Sequence, residues 1–599
     1  MSRPGACRYE AAPWVLLGLL WISTVVFGLV WLTARLAAAV GGGQVAPLPD
    51  MAGYLLRGRA DLAWPGVATG WLIASGLLWM SAVGVLVVLV TRRWRRWTFR
   101  RHRETRWRLA LPSLAGPDDL AALTPAGVAK RARKLCPSLA ALDRRRLSPT
   151  QTGWPLGDLV PTGPPLRGTW EDVALAVMAP RAGKTTGLAV PMILDAPGAA
   201  VATSNKADLW AATASLRAAH SRVWVFDPQQ VAYAEQTWWW NPLAAVAGVE
   251  DADRLAGHFL QEIRDKNRDF WSAAAGDLLA SLLLAAAVSK RTLTDVYEWL
   301  NDSGSPLPAE LLAAGGFPTV AAGLRGRQRG APETREGVYE TARTAAKCLR
   351  NARIQRWVTP GAATVELDMA AFAASNDTLY LLSKDDEGAA SPLVAALTDQ
   401  VLRAAVRRAE SRGGRLDPPM VTVLDEAANV CKIQDLPDLY SHLGSRGVVP
   451  LTILQSYRQG VRVWGEPGMD ALWSASTIKI LGAGIDDARL AEDVSRLVGE
   501  HEVDTESVTR SRQGAGLSVS ARRQRILEPG DIRAIPKGWA LLLATGARAA
   551  VLALRPWYTG PHHAEIAAAV AEATAELTAR AGGHHTASES IDDRPVTHS

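Results

Sequence analysis

The 599-residue sequence has only four cysteines, Cys7, Cys136, Cys348 and Cys431, far apart and with no C-x-x-C. That excludes a disulfide framework or a cysteine zinc site and fits a reducing compartment. Phenylalanine and lysine are scarce beside alanine, arginine and glycine, a bias without functional content of its own. A strong charge of one sign is lacking too: the net charge of +7 is modest for this length and points to an anionic partner only where arginines cluster. The histidine pairs His562-His563 and His584-His585 lie in or near a polar tail and are read without a metal role. What is abundant is apolar. With 48% hydrophobic and 21% charged residues the composition is globular, and the length suits about three to four domain-sized pieces.

Two uncharged apolar runs, 11–33 and 71–90, are each long enough to cross a hydrocarbon core as a helix, with Trp14, Trp31 and Trp71 near their ends. A signal peptide is the alternative for the first, but its apolar stretch is too long for one, so an anchor is preferred. Nine arginines crowd between Arg92 and Arg108, against three in the loop between the runs, so everything after Val90 is expected on the cytoplasmic side of the cell membrane. Anionic lipid headgroups account for the arginine cluster; DNA contact is the competing explanation. Residues 1–91 thus read as a multi-pass membrane anchor. Residues 92–165 read as a basic juxtamembrane segment and a Pro/Gly/Ala-rich linker, with a helical piece around Lys130 to Arg146.

Beyond the linker, short β-rich runs at Val173–Met178, Ala199–Thr203, Val223–Phe226, Thr378–Leu382, Val421–Leu424 and Pro450–Leu454 alternate with amphipathic segments, the pattern of an α/β domain with a largely parallel sheet. The first run leads into Ala179-Pro180-Arg181-Ala182-Gly183-Lys184-Thr185-Thr186 and then a helix-like segment. Strand, tight loop and helix N-terminus form a cradle for phosphate, with Lys184 reaching the β/γ-phosphates of ATP and the Thr185 hydroxyl on Mg2+. The first glycine of G-x-x-x-x-G-K-[ST] is missing, because Met178 stands there. A second strand, Met420 to Leu424, ends in Asp425-Glu426 and is expected beside the phosphate loop, Asp425 helping to hold Mg2+ and Glu426 polarising the attacking water. Gln455, at the end of a third strand, can bond the γ-phosphate or that water; a plain polar strand end is the alternative. Arg446 can reach a neighbouring subunit's nucleotide, or be an ordinary surface arginine.

These motifs resemble those of the TraG/TraD-type coupling proteins, the membrane-anchored ATPases of conjugative type IV secretion. The resemblance runs through 178–194, Pro197 to Asp208, Val225-Phe-Asp-Pro228, Trp240-Asn-Pro-Leu243, Phe270-Trp271, Leu424-Asp-Glu-Ala-Ala-Asn429 and Ile453-Leu-Gln-Ser-Tyr457. Pro191 resembles the family pattern although it would ordinarily kink a helix; Met178 and Thr203-Ser204-Asn205 depart from it. The resemblance implies a RecA-like P-loop NTPase domain (166–248 and 358–560) interrupted by an all-α domain (249–357), and a homo-hexamer. It further implies ATP-driven transfer of DNA, or a DNA–protein conjugate, with a relaxase/relaxosome and type IV secretion channel proteins as partners.

Two basic groups are candidate DNA contacts. Arg343, Lys347 and Arg350 fall at i, i+4 and i+7 on one expected helix face, preceded by Arg325, Arg327 and Arg329 in an expected loop. Arg510, Arg512, Arg522, Arg523 and Arg525 lie in a Ser/Gly-rich stretch read as a loop lining the ring's channel. Residues 561–599 read as an alanine-rich helix followed, from Ala581, by a disordered tail. Two other functions stay open: a recruitment platform with a degenerate nucleotide site, motivated by Met178, and an ATPase secreting protein effectors.

Overall fold

The computed structural model describes residues 28–143, 146–263, 270–384, 390–511 and 514–592. The chain forms two compact units, Met1–Thr105 and Arg106–Ser599.

In the first unit a helix over Gly28–Gly41 is tied to its surroundings by Trp31 Nε1 donating to Ala46 O (3.0 Å) and by Ser75 Oγ donating to Thr33 O (3.1 Å). The helix Thr69–Ala110 carries an apolar stretch, Thr69–Arg93, long enough to cross a membrane, with Leu77, Leu78, Val85 and Leu86 exposed on it. Of the first expected span, residues 11–27 lie outside the described residues.

The second unit is built on a sheet of eleven strands among the described residues. Its fifteen strands in chain order are β1 (Trp154–Leu159), β2 (Pro165–Gly168), β3 (Ala174–Val177), β4 (Ala200–Ser204), β5 (Val223–Phe226), β6 (Trp238–Trp239), β7 (Val365–Glu366), β8 (Thr378–Leu382), β9 (Met420–Leu424), β10 (Val448–Leu454), β11 (Ile478–Gly482), β12 (Glu500–Ser511), β13 (Gly514–Arg525), β14 (Trp539–Ala544) and β15 (Ala550–Ala553). The sheet order is β2-β1-β15-β14-β11-β3-β10-β9-β4-β8-β5, parallel from β11 to β5 and antiparallel from β11 to β2. β3, β4, β8, β9 and β10 are buried along their whole length, as expected of parallel strands covered by helices on both faces. All six expected strand runs are strands.

Several local expectations are corrected. The stretch read as linker supplies β1 and β2 to the sheet's antiparallel end: Pro165 lies on the edge strand β2, and Pro155 and Gly157 flank a register shift in β1, where a bulge interrupts the ladder. Its helix is Pro125–Leu135, started by Thr124 Oγ1 accepting from Gly127 N–H, and not a helix to Arg146. The arginine-rich stretch after Gly499 is no loop: β12 and β13 pair residue for residue from Glu500 opposite Arg525 to Ser511 opposite Gly514. A near-continuous alternation through Val503, Thr505, Ser507 and Thr509 suits that ladder. The C-terminal helix His563–Asp592 continues past Ala581, where a disordered tail was expected.

Between Val249 and Gln355 the described elements are helical. Phe270–Val288 is long and apolar enough for a membrane too, but Leu278, Leu279, Leu282 and Leu283 are fully buried, so it is a core helix, each leucine contributing about 1.5–3 kcal/mol. The expected basic face does not form. One helix, Pro332–Ala345, ends before Lys347, and Lys347–Arg350 is a 3-10 turn, so the 3.6-residue period that would align the three cations is lost. Arg343 is held by Glu340 (2.7 Å) and donates to Leu300 O (2.9 Å). Arg325 and Arg327 lie in the helix Pro318–Gln328, not in a loop, with Arg329 capping it, and Arg327 pairs with Asp277 (2.7 Å).

Candidate nucleotide site

The phosphate loop leaves the carboxyl end of β3, where open α/β sheets place their ligands. Met178 N–H donates to Leu454 O (3.0 Å) and Ala179 N–H to Ala483 O (3.1 Å), fastening the loop's entrance to the ends of both neighbouring strands. The left-handed positions of the loop are Arg181 (φ 62°) and Gly183 (φ 98°). Pro180 and Arg181 are exposed, Ala179 is half-buried, and Ala182 and Lys184 are buried. The helix then opens with a wide π-type turn, Thr185–Ala189, before the α-helical turn Val190–Leu194. Pro191 directly follows that π-type turn, where Val190 N–H bonds Thr185 O and the ladder already departs from i→i−4 spacing, so the proline is accommodated without ending the helix. Gly187 is closely covered: a Cβ there would lie 3.3 Å from Leu554 Cβ.

Five expected residues, two of them in the loop itself, meet here. Lys184 Nζ is ion-paired with Glu426 Oε1 and lies 3.5 Å from Asp425 Oδ1. Thr185 Oγ1 donates to Asp425 Oδ2 (3.0 Å), and Gln455 Nε2 donates to Glu426 Oε2 (2.7 Å). Lys184, Asp425 and Glu426 are 8%, 2% and 7% exposed, so the charges meet with little water. Burial pushes the Asp425 carboxyl above its ordinary range, with Glu426 adding to the rise and Lys184 and the Thr185 hydroxyl opposing it. Glu426 itself is left-handed (φ 55°), an uncommon backbone for a residue with a side chain and one that recurs at functional sites.

The carboxylate pair lies beside the phosphate loop, as expected, although its strand is not the direct neighbour of β3. β9 does not lie beside β3; β10 runs between them. That inserted strand is what sets Gln455, the residue after β10, between the phosphate loop and the carboxylate pair. Sequence reasoning gave no role to two further residues: Asn429 Nδ2 donates to Glu426 Oε2 (3.3 Å), and Thr203 Oγ1 donates to Asp425 O (3.0 Å). Asn429 stands three residues past Glu426, one turn along the short helix Ala427–Val430, a spacing that could have pointed to it.

The remaining candidates lie elsewhere. Arg446 precedes β10, whereas Gln455 follows it, so about 23 Å of strand separates the two ends at ~3.3 Å per residue. There Arg446 pairs with Glu410 (3.4 Å) and reaches Gly414 O (3.4 Å). Thr186 Oγ1 makes only a long bond to Gly183 O (3.5 Å). Arg350 is exposed. Arg522 and Arg523 are exposed on β13, Arg523 lying 3.8 Å from Glu502, and Arg510 falls on β12; Arg512 lies outside the described residues. Arg525 is engaged with Glu492 (2.7 Å), bracing the base of the hairpin against the helix Ala488–Val498.

The donor set fits Mg2+ bound together with a nucleotide. A hydroxyl and a carboxylate 3.0 Å apart suit an ion that keeps waters and takes its other ligands from substrate phosphates. Among the described residues no group of three or more His, Cys, Asp or Glu could hold a metal independently.

Residues 419–537, which run from β9 to just before β14, match the family model described as the TraM recognition site of TraD and TraG. Two curated Escherichia coli proteins, each named conjugal transfer protein TraG, are 24% identical over 396 and 393 residues. Each match covers 61% of this chain and 61% of the relative, so the chain spans less than two thirds of those relatives' length. The solved bacterial conjugative coupling protein TrwBdeltaN70, in its unbound monoclinic form, is similar in fold, with a TM-score of 0.50 at 16% identity over 67% of this chain and 88% of that one. Motif order and the match at 419–537 make the chain similar in sequence to the TraG/TraD-type conjugative coupling proteins, and its fold resembles that of a solved coupling protein.

Proposed function

We propose that this chain is a membrane-anchored P-loop ATPase that couples ATP hydrolysis to the transfer of DNA, or a DNA–protein conjugate, in conjugation. The observation that carries the reading is the meeting of Lys184, Thr185, Asp425, Glu426 and Gln455 around one buried point at the carboxyl ends of β3, β9 and β10. Lys184 already holds an anion there, the Glu426 carboxylate. Exchange of that carboxylate for phosphate oxygens frees Glu426 to accept a proton from the attacking water, which Gln455 orients from the adjacent strand end. Backbone N–H groups of Gly183 to Thr186 would line the cradle, and Thr185 with Asp425 would hold Mg2+. When bound, the metal neutralises charge on the phosphate oxygens.

The helices of 249–357 are proposed as an inserted all-α domain, the stretch Thr69–Arg93 as one span of a multi-pass anchor, and 106–599 as the cytoplasmic part. Six copies in a ring, relaxosome proteins and the secretion channel are the proposed assembly. The match of 419–537 to a family model described by TraM recognition supports the relaxosome as a partner. Detergent-purified full-length protein should hydrolyse ATP, faster with DNA. Equal and negligible turnover by the native chain and Glu426→Gln refutes the motor.

A further inference from the structure

The loop's missing glycine leaves two questions, one of backbone and one of volume. The backbone question is settled by the left-handed positions, which are Arg181 and Gly183; Met178 has no positive φ and needs no glycine. The volume question is settled on another strand. β11 runs parallel to β3 with Leu481 opposite Val177, so the next residue, Gly482, is the cross-strand neighbour of Met178. A Cβ at Gly482 would meet the Met178 side chain at Cε, at Cγ (2.7 Å) and at Sδ (3.1 Å). Met178 is fully buried and occupies the space that a side chain at 482 would need. Two residues on, Gly484 (φ 88°) leaves room for the Ala179 methyl in the same way, and between them Ala483 O receives the Ala179 N–H at 3.1 Å.

We propose that Gly482-Ala483-Gly484, at the end of β11, is a positioning element for the phosphate loop, and that Met178 and Gly482 are a complementary pair that replaces the loop's first glycine. The glycine has in effect moved to the neighbouring strand: the bulk of Met178 is seated on Gly482, and the loop entrance keeps its height above the sheet. Gly482 and Met178 touch no substrate; they act through the placement of Ala179 to Lys184. The inference rests on the nucleotide reading of this loop.

The test is a mutual rescue in the full-length chain, read as ATP affinity and as KM against kcat. Gly482→Ala should weaken ATP binding by roughly tenfold or more through overpacking, raising KM while leaving kcat at saturation nearly unchanged. Met178→Ala alone opens a gap and should weaken binding by about two- to fivefold. The double variant, in which the small residue has changed sides, should bind within about threefold of the native chain. If Gly482→Ala does not fold, recovery of Met178→Ala on adding Gly482→Ala still reads the pair. A double variant no better than the worse single one overturns the pairing. Thermal stability measured in parallel separates two failures. Coupled stability with no coupling in ATP affinity reduces the pair to core packing and overturns the positioning role. No ATP binding by the native chain overturns the nucleotide reading, and the positioning role with it.

Discussion

Lys184→Met is the most informative perturbation of the nucleotide-free protein. Lys184 is the cation between two carboxylates, paired with Glu426 and 3.5 Å from Asp425, all three nearly buried. Its removal leaves two negative charges facing each other with Gln455, Asn429 and Thr185 as their side-chain donors. Breaking a buried pair by removing one partner costs about 3–5 kcal/mol. Against a total stability of roughly 5–15 kcal/mol for a typical domain, that loss is plain in an unfolding curve. The pH dependence has a definite sign. Asp425 is raised by burial, and losing Lys184 removes the main opposing influence, so its carboxyl moves further up. A carboxyl raised above its unfolded value of ~3.9 binds its proton more readily in the folded state, and stability falls as pH rises between the two values. The deficit of Lys184→Met should therefore be largest near neutrality and shrink on acidification. Adding Glu426→Gln should restore part of it at neutral pH. Denaturant unfolding of the detergent-purified chain at pH 7.5 and pH 5.5 measures both. A variant as stable as the native chain at pH 7.5, or a deficit that grows on acidification, refutes the picture of a buried charge clamp.

Three further outcomes follow from the same geometry. Gln455→Leu should keep ATP affinity within a fewfold and lower turnover by about 10²-fold, the low end of what a positioned acid–base contact supplies; equal turnover would make Gln455 a mere strand end. Because Asp425 must be ionised to hold Mg2+ and its carboxyl is raised, the Mg2+ dependence of ATP binding should weaken as pH falls, and Asp425→Asn should lose that pH dependence along with most Mg2+ affinity. For Arg446, an action on a neighbouring subunit predicts that Arg446→Ala chains mixed with native ones depress activity beyond simple dilution, as read by steady-state ATPase; a linear dilution assigns the residue to its contacts with Glu410 and Gly414.

The parts of the site legible in the sequence are those written in contiguous residues. Gly183-Lys184-Thr185 and Asp425-Glu426 each follow a short apolar strand, and strand ends at the carboxyl edge of a parallel sheet are brought together by the topology itself. The strand between them was legible as a strand, but its place between β3 and β9 was not, because neighbour order in a sheet is a long-range property. β14 and β15 escaped for a different reason. Trp539–Ala544 and Ala550–Ala553 are alanine- and leucine-rich, a composition that favours helix, and only their burial in the sheet overrides it. β1 and β2 carry prolines and a glycine that read as linker. The end of the helix at Ala345 has no glycine or proline to announce it, so three cations with perfect helical spacing in the sequence do not share a helix in the molecule. Gly482 carried no signal at all until its neighbour on β3 was known.

Gln455, which donates to Glu426, also joins its strand end to the helix that follows. Gln455 N–H donates to Gln459 Oε1 (3.0 Å), and Ser456 Oγ accepts from Gln459 N–H (3.3 Å), capping the helix that starts at Tyr457. That helix breaks at Gly465 (φ 73°), just after Trp464, whose indole N–H is fixed to Ile433 O (2.7 Å). The Gln455 carboxamide, bonded to Glu426, is thus joined through a capped segment of two turns to a break in the helix, where Gly465 takes a left-handed backbone that favours glycine. If Glu426 exchanges its partner for a nucleotide, as proposed, the consequence is carried along this helix to the break at Gly465.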